Sequence, residues 1–372
     1  MKSNTLVIGG GIIGLMTARE LLSTGQQVTI VDRQYLGREA SWAGAGILSP
    51  LYPWRYADAV IAMALWSQEQ YPKITRELSK NTGVDAEWVR SGLLILEPFS
   101  NENAAKCCEK YAIKHEFLLS EQIRELFPYS VNDSNGLWLP DVAQVRNPRL
   151  IAALRLDLEK KGCRILEQVS VQSFIEQQGR FIGVETSGGR IEADRCLLTA
   201  GAWTAKLLQS TGLALPIYPV RGQMLLLQAK PGLVSHILLQ DQKYMVPRSD
   251  GHILIGSTLE RVGFDKSTTR DALEALQQWA VRHVPLLKDV AIIQQWAGLR
   301  PGTDDGVPFI GPHPQMQGLY FCAGHFRNGL VSAPASARIL VDMLLQRAPI
   351  FDLDPFDMQR RCGTDAGVVH QA

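Results

Sequence analysis

Three features of the sequence predict an α/β fold in which a dinucleotide-binding domain is interrupted by a second sheet. An apolar strand, a glycine turn, a helix and another strand follow one another over residues 5–32. A second alternation of helices and strands begins near Pro148. Between these parts and a glycine-rich C-terminal region, residues 216–260 read as short strands separated by turns, the pattern of a mixed or antiparallel sheet.

The first unit is Rossmann-like. Thr5-Leu6-Val7-Ile8 is a buried strand, and Ile12, Leu15, Ala18, Leu21 and Leu22 form a helical apolar stripe. Gly25 ends that helix, and 28–31 reads as a buried parallel strand. Residues 38–50 are glycine-rich and loop-like, 57–80 read as a long helix, 93–96 as a strand, and 101–128 as mostly helical. In the second alternation, 150–161 is helical and 163–166, 169–176 and 181–186 are strands. A hairpin turn at 187–190 precedes a buried strand at 195–199. Segments 223–227, 243–247 and 253–256 supply the second sheet, and 268–283 is helical. After Trp296 the glycine-rich pattern returns. Residues 319–322 form a short strand, and a closing helix runs from Gly329 through Leu344. This reading assigns 1–84, 141–215 and 293–357 to a discontinuous cofactor domain, 85–140 and 216–292 to a substrate domain, and 358–372 to a tail. A ligand pocket is expected at the domain junction.

Composition narrows the function. The 372 residues carry 38 Lys plus Arg against 37 Asp plus Glu, so a nucleic-acid surface is not expected as the main function. Six cysteines without a CxxC pair argue for a reduced, cytoplasmic protein. The seven histidines form no HExxH or His/Cys cluster, so no metal site is expected. No apolar run reaches the roughly 18 residues of a membrane span.

The glycine turn has a chemical purpose. Gly9 permits a tight turn, Gly11 lets the backbone approach a pyrophosphate, and Gly14 lets helix and strand pack closely. Ile12 and Ile13 open the helix, whose N-terminus offers amide hydrogens and a favourable dipole to phosphates. Asp32, ending the second strand beside Arg33, is placed to accept ribose hydroxyls. A 2′-phosphate there would meet like charge. These residues alone leave NAD and FAD open.

Near the other end, Arg300 and Arg327 each lie in a glycine-rich segment. Arginine presents a planar fork of donors to a carboxylate, and Tyr244 can add a hydroxyl donor. His325 invites a general-base role, but a structural place beside the cofactor is the preferred reading.

Beyond these single residues, the chain resembles the glycine oxidase branch of the D-amino-acid-oxidase-like FAD-dependent oxidoreductases. The resemblance runs from residue 5 to about residue 357 and rests on VIGGGIIGLMTAREL (7–21), SWAGAGILSP (41–50), LLTAGAW (197–203), YPVRGQ (218–223), YMVPR (244–248), WAGLRPGTDDGVPFIG (296–311) and AGHFRNGLVSAP (323–334). It implies that Ser41, Trp42, Ala43, Gly44, Ala45 and Gly46 hold the flavin, with Val169, Ala200, Gly201 and Trp203 from the middle of the chain. His325, Arg327, Asn328, Gly329 and Leu330 would run near the isoalloxazine, and the final helix would aim its positive end at the ring. Some relatives link the flavin through a cysteine after the LRP motif. Residues 301–311 contain none, so noncovalent FAD is expected.

By the same resemblance, Arg300 and Tyr244 take the substrate carboxylate, and Arg327 assists it or balances the charge of reduced flavin. Ile47 and Leu259 stand where the best-known pattern has methionines lining the cavity, and Gln242 where it has a histidine. These departures weaken strict glycine preference and admit sarcosine, small D-amino acids or N-substituted glycines. The implied reaction is hydride transfer from a neutral amine to flavin, hydrolysis of the imine to an oxo acid, and reoxidation by molecular oxygen to hydrogen peroxide. In bacteria it implies supply of the glycine imine for the thiazole ring of thiamine, and relatives form dimers or tetramers. A dehydrogenase using a non-oxygen acceptor and a noncatalytic flavin-binding protein are the other readings left open.

Overall fold

The strand Asn4–Ile8 lies inside a six-stranded sheet, flanked in parallel by Gln27–Val31 and Arg195–Leu198. Arg164–Leu166 closes one edge, and Leu319–Ala323 followed by antiparallel Phe309–Pro312 closes the other. The structure is a computed structural model that describes residues 4–131 and 133–360. Most of the expected tail, with Cys362, lies outside the described residues.

Period-two alternation sorts this sheet's two faces. Val7, Ile30 and Leu197 point into a core shared with helices Ile12–Ser23, Asp58–Thr82, Asn147–Lys160 and Ala333–Leu344. Their neighbours Leu6, Ile8 and Leu198 point the other way, onto Phe181 and Val184 of a three-stranded antiparallel sheet.

The second large sheet has eight strands. Its order is Ala291–Gly302, Tyr218–Gln228, His252–Gly256, Lys243–Pro247, Ile237–Gln240, Leu93–Leu96, Gly136–Leu139 and Glu116–Leu118. Only the Ile237–Gln240 and Leu93–Leu96 pairing is parallel, so the sheet is mixed, as expected. One face packs on helix Arg270–His283 through Leu225, Met245, Ile255, Leu276 and Trp279. The other face turns Met224, Tyr244, Val246 and Leu254 toward Ala45, Leu51 and Tyr52. Tyr244 therefore faces the first domain because its neighbour Met245 faces the helix.

Several local expectations differ from the structure. The 38–50 segment is not all loop: it contains the helical turn Ala40–Ala43 and the strand Ile47–Leu48, which pairs with Ala143–Gln144. Helices Asn101–Lys110 and Ser120–Leu126 are separated by the strand Glu116–Leu118. The segment carrying Arg300 is a 12-residue strand, Ala291–Gly302, paired along Tyr218–Gln228. Residues 293–302, read with the last piece of the cofactor domain, thus belong to the eight-stranded sheet. The closing helix starts at Ala333, not Gly329, with a proline in its first turn. Its N-terminus does not line the cavity described below, so Arg327, Gly329 and Leu330 reach that cavity from a turn and not from a helix end.

Candidate active site

One cavity of about 480 Å³ runs between the two large sheets, from Asp32 and Lys206 to Tyr244 and Arg300. At the first end, glycine is required by contact. Gly9 has φ +105°, and a Cβ there would lie 2.6 Å from the Thr199 carbonyl oxygen. A Cβ on Gly14 would lie 2.0 Å from the Gly9 oxygen and 2.7 Å from Thr199 Oγ1, which places Gly14 at the helix–strand contact and off the cavity lining. Ser41 Oγ accepts from the Ile12 amide at 2.8 Å, so one of the helix N-terminal amides already has a protein partner. Asn147 Nδ2 donates to the Ser41 carbonyl at 2.7 Å and fixes that turn.

Asp32 Oδ2 accepts from the Gly10 amide at 2.7 Å and Oδ1 from the Gln34 amide at 2.8 Å. Burial nevertheless holds its carboxyl above the usual range. Each oxygen keeps a second acceptor site for a ribose hydroxyl. Arg33 lies 3.7 Å over the Trp203 ring and pairs with Glu39 at 2.9 Å. Phe264, reaching over from the second domain, stacks on Trp203 at 5.3 Å.

At the other end, Arg300 stands in register with Val220. Its Nη2 donates to Ser257 Oγ at 2.6 Å and its Nη1 to the Thr258 carbonyl at 3.3 Å. The guanidinium lies over Gly222, where a Cβ would come within 2.2 Å of both Nη atoms. Burial first, then the nearby Arg327 charge, pulls Arg300 down to about 10, so it stays charged at neutral pH. The Tyr244 hydroxyl donates to Met224 Sδ at 3.4 Å. Arg327 follows Phe326, whose amide donates to the Pro301 carbonyl at 2.8 Å and so ties the two arginine segments together. Arg327 Nε and Nη2 are buried without a protein partner, and no carboxylate pairs with Arg300 or Arg327 among the described residues. Two uncompensated guanidiniums make this end a site for an anion.

His325 Nε2 lies 2.8 Å from Ser336 Oγ, which itself donates to the Ser332 carbonyl at 2.9 Å. That chain makes Nε2 the donor nitrogen. Burial pulls His325 down to about 3, so the ring is neutral and structural at working pH.

Most residues expected at the site meet in this cavity. Gly9, Gly11, Ile12, Ile13, Asp32, Arg33, Ser41, Ala43, Gly44, Ala45, Gly46, Ile47, Val169, Ala200, Gly201, Trp203, Tyr244, Arg300, His325, Arg327, Gly329 and Leu330 all line it. Four more besides Gly14 do not. Trp42 packs against Trp296 at 5.3 Å, half-buried at the edge of the core, because the Ala40–Ala43 turn directs it away from the cavity. Gln242 occupies a tight turn at φ +65° between two strands. Leu259 lies beyond the end of His252–Gly256 and off the lining. Asn328 is buried in the turn, its amide donating to the His325 carbonyl at 2.8 Å. Reading by residue type missed Gly222, Met224, Ser257 and Asn147. Only Gly222 carried a sequence signal, its place within YPVRGQ.

A glycine-cradled nucleotide site joined to an arginine-lined anion pocket defines an oxidoreductase that brings a dinucleotide beside a small acid. The comparisons agree. A family model described as "FAD dependent oxidoreductase" matches residues 4–343. The glycine oxidase of Pseudomonas aeruginosa is 44% identical over 358 residues, covering 96% of this chain and 98% of that protein. The glycine oxidase of Pseudomonas putida is 41% identical, covering 98% of this chain and 100% of that protein. Among solved structures, the glycine oxidase of Geobacillus kaustophilus superimposes with a TM-score of 0.92 at 28% identity, covering 97% of this chain and 100% of that one. The chain belongs to the FAD-dependent oxidoreductase family, in its glycine oxidase branch. FAD fits the residues present. Gly9 and Gly11 keep the cavity-lining turn free of side chains, Asp32 retains acceptor capacity, and the cavity-lining Asn147 holds a buried Oδ1 without a protein partner.

Proposed function

We propose that this protein oxidises glycine and other small amines, including sarcosine and small D-amino acids, with noncovalent FAD. Glycine, water and oxygen would give glyoxylate, ammonia and hydrogen peroxide. The observation that carries this reading is the pair Arg300 and Arg327, both half-buried on the cavity lining without a carboxylate partner among the described residues, with Arg327 Nε and Nη2 buried and unpaired. Bound FAD supplies the two-electron acceptor. Arg300 holds the substrate carboxylate with its fork of donors, already oriented by Ser257 and Thr258. Tyr244 adds its hydroxyl by turning it from Met224. Arg327 assists at the cavity side, and Ile47 sets the width. Among the described residues His325 is neutral and no carboxylate pairs with Arg300 or Arg327, so the amine reacts in its neutral form. The protein's contribution is orientation and exclusion of water.

We further infer that the product imine serves thiazole synthesis, that oxygen is the acceptor, and that the protein works in the cytoplasm as a dimer or tetramer. Among the described residues no helix is long and apolar enough to cross a membrane. An anaerobic panel of glycine, sarcosine, N-ethylglycine, D-alanine, D-proline and L-amino acids tests the chemistry by loss of flavin colour. Bleaching by glycine or sarcosine, with peroxide on admission of air, is the expected result. Bleaching without peroxide in air would identify a dehydrogenase, and no bleaching would remove the oxidase reading. Arg300→Ala should raise KM about a hundredfold while FAD stays bound, as loss of a charge-assisted carboxylate contact requires.

A further inference from the structure

The YMVPR segment contains a buried arginine that the reaction does not use. Arg248 is 7% exposed, four residues after Tyr244, at the end of the strand Lys243–Pro247. Its Nη2 donates to the Ala45 carbonyl at 2.8 Å, and its Nη1 donates to the Val145 carbonyl at 3.0 Å and to Gln144 Oε1. The Nε is buried without a partner. Among the described residues no carboxylate touches this guanidinium. The nearby Asp250 is engaged by Arg146 at 2.7 Å. Burial pulls Arg248 down to about 10. A buried cation held only by neutral oxygens is costly, so its placement calls for a compensating purpose.

The bonded atoms identify that purpose. Ala45, Gly46 and Ile47 line the cavity. Gly46 has φ +84°, and a Cβ on it would lie 1.9 Å from the Val145 oxygen. The Val145 amide donates to the Gly46 carbonyl at 2.9 Å. The two segments are therefore pressed together, and one guanidinium grips both. The same strand carries Tyr244 into the anion pocket.

We propose that Arg248 is a positioning residue that sets the depth of the 44–47 turn relative to Tyr244, and so the distance between the bound flavin and the substrate carboxylate. This rests on the flavin oxidase reading of the cavity. Arg248 touches neither reactant. Its effect falls on the rate of flavin reduction, because a displacement of about 1 Å can cost about a hundredfold in rate.

The experiment is anaerobic stopped-flow reduction of FAD-loaded protein with sarcosine. Arg248→Lys keeps the charge and loses the fork. We expect its limiting reduction rate to fall at least about tenfold, with the substrate Kd changed less than about threefold. The visible flavin absorption should change shape as the turn moves. In Arg248→Ala, added guanidinium ion should restore part of the rate. Gln144→Leu removes one acceptor and should give a smaller fall, which keeps the test open if the arginine variants do not fold. A wild-type reduction rate in FAD-loaded Arg248→Lys or Gln144→Leu overturns the proposal. So does a loss that only tracks FAD release. Failure of the oxidase reading itself would look different, since the wild-type flavin would not bleach at all.

Discussion

Residue 222 shows how a missing side chain makes a binding site. Glycine there is not a matter of backbone angle, since its φ is not in the left-handed region. It is glycine because the Arg300 guanidinium occupies the place of its Cβ, with both Nη atoms within 2.2 Å. Gly222→Ala should displace the fork from Ser257 and raise KM at least about tenfold, while FAD stays bound, since tenfold corresponds to about 1.4 kcal/mol. Steady-state kinetics with flavin content measured alongside checks this, and an unchanged KM would show that the guanidinium shifts without cost. The contrast with Arg300 explains what was legible. Arginine and tyrosine announce their chemistry by type, so Arg300, Arg327 and Tyr244 are readable from sequence. Gly222, Ser257 and Asn147 act through what they allow or hold in space, and only the pairing of distant strands reveals it. Trp42 is the opposite case. Its motif is at the site, but the helical turn carrying it directs the ring away from the cavity, half-buried against Trp296 at the edge of the core.

Elements follow the same division. The opening strand, helix and strand were legible because each has one clear period and a glycine at each break. The Ala291–Gly302 strand was not. Its first five residues are exposed, and its second half is rich in glycine, which reads as loop. The glycines are there for close approach: a Cβ on Gly298 would lie 2.5 Å from Ala43 Cβ, and one on Gly302 would lie 2.8 Å from Tyr218. The strand is thus held by long-range pairing and not by its own pattern. Helix Ile12–Ser23 makes the converse point. Its apolar stripe is obvious, but its seating depends on one atom-sized gap at Gly14. Gly14→Ala would drive a methyl into the Gly9 oxygen at 2.0 Å and push the helix off the strand. We expect FAD affinity to fall by more than about tenfold and stability by about 1–3 kcal/mol, the usual range for overpacking. Titration of stripped protein with FAD, beside urea unfolding, measures both. An alanine variant that binds FAD normally would mean that the turn relaxes freely.

At the scale of the molecule, the two sheets meet across the cavity through a few polar links. Lys266 reaches Glu39 at 3.2 Å, Trp296 Nε1 donates to the Ala43 carbonyl at 3.0 Å, and Arg146 joins Glu87 to Asp250. Among the described residues three histidines are buried at separate places, and burial disfavours the charged form of each. Burial pulls His283 down to about 4 and His325 to about 3, and lowers His313. Neither ring nitrogen of His283 has a partner, so protonation would place an unpaired charge beside Trp279. The sign follows from proton binding. Below the unfolded value near 6.5 the unfolded chain takes up protons that the folded chain refuses, so stability falls as pH falls. The loss starts near pH 6.5 and continues toward pH 4 for His283 and pH 3 for His325. Between pH 6.5 and 5 each of these two removes up to about 2 kcal/mol. The depressed carboxylates, such as Asp250, which hydrogen bonds from Arg146 and His252 hold well below the usual carboxylate range, act later, because their contribution is intact above the unfolded value of 3.8. Urea midpoints at pH 7 and pH 5 should therefore differ well before these depressed carboxylates titrate. His283→Gln should flatten the slope by that residue's share, at some cost in stability at pH 7. A midpoint that stayed level between pH 7 and pH 5, or a slope untouched by the His283 change, would mean that water reaches these rings and that the core around Trp279 is more open than its packing implies.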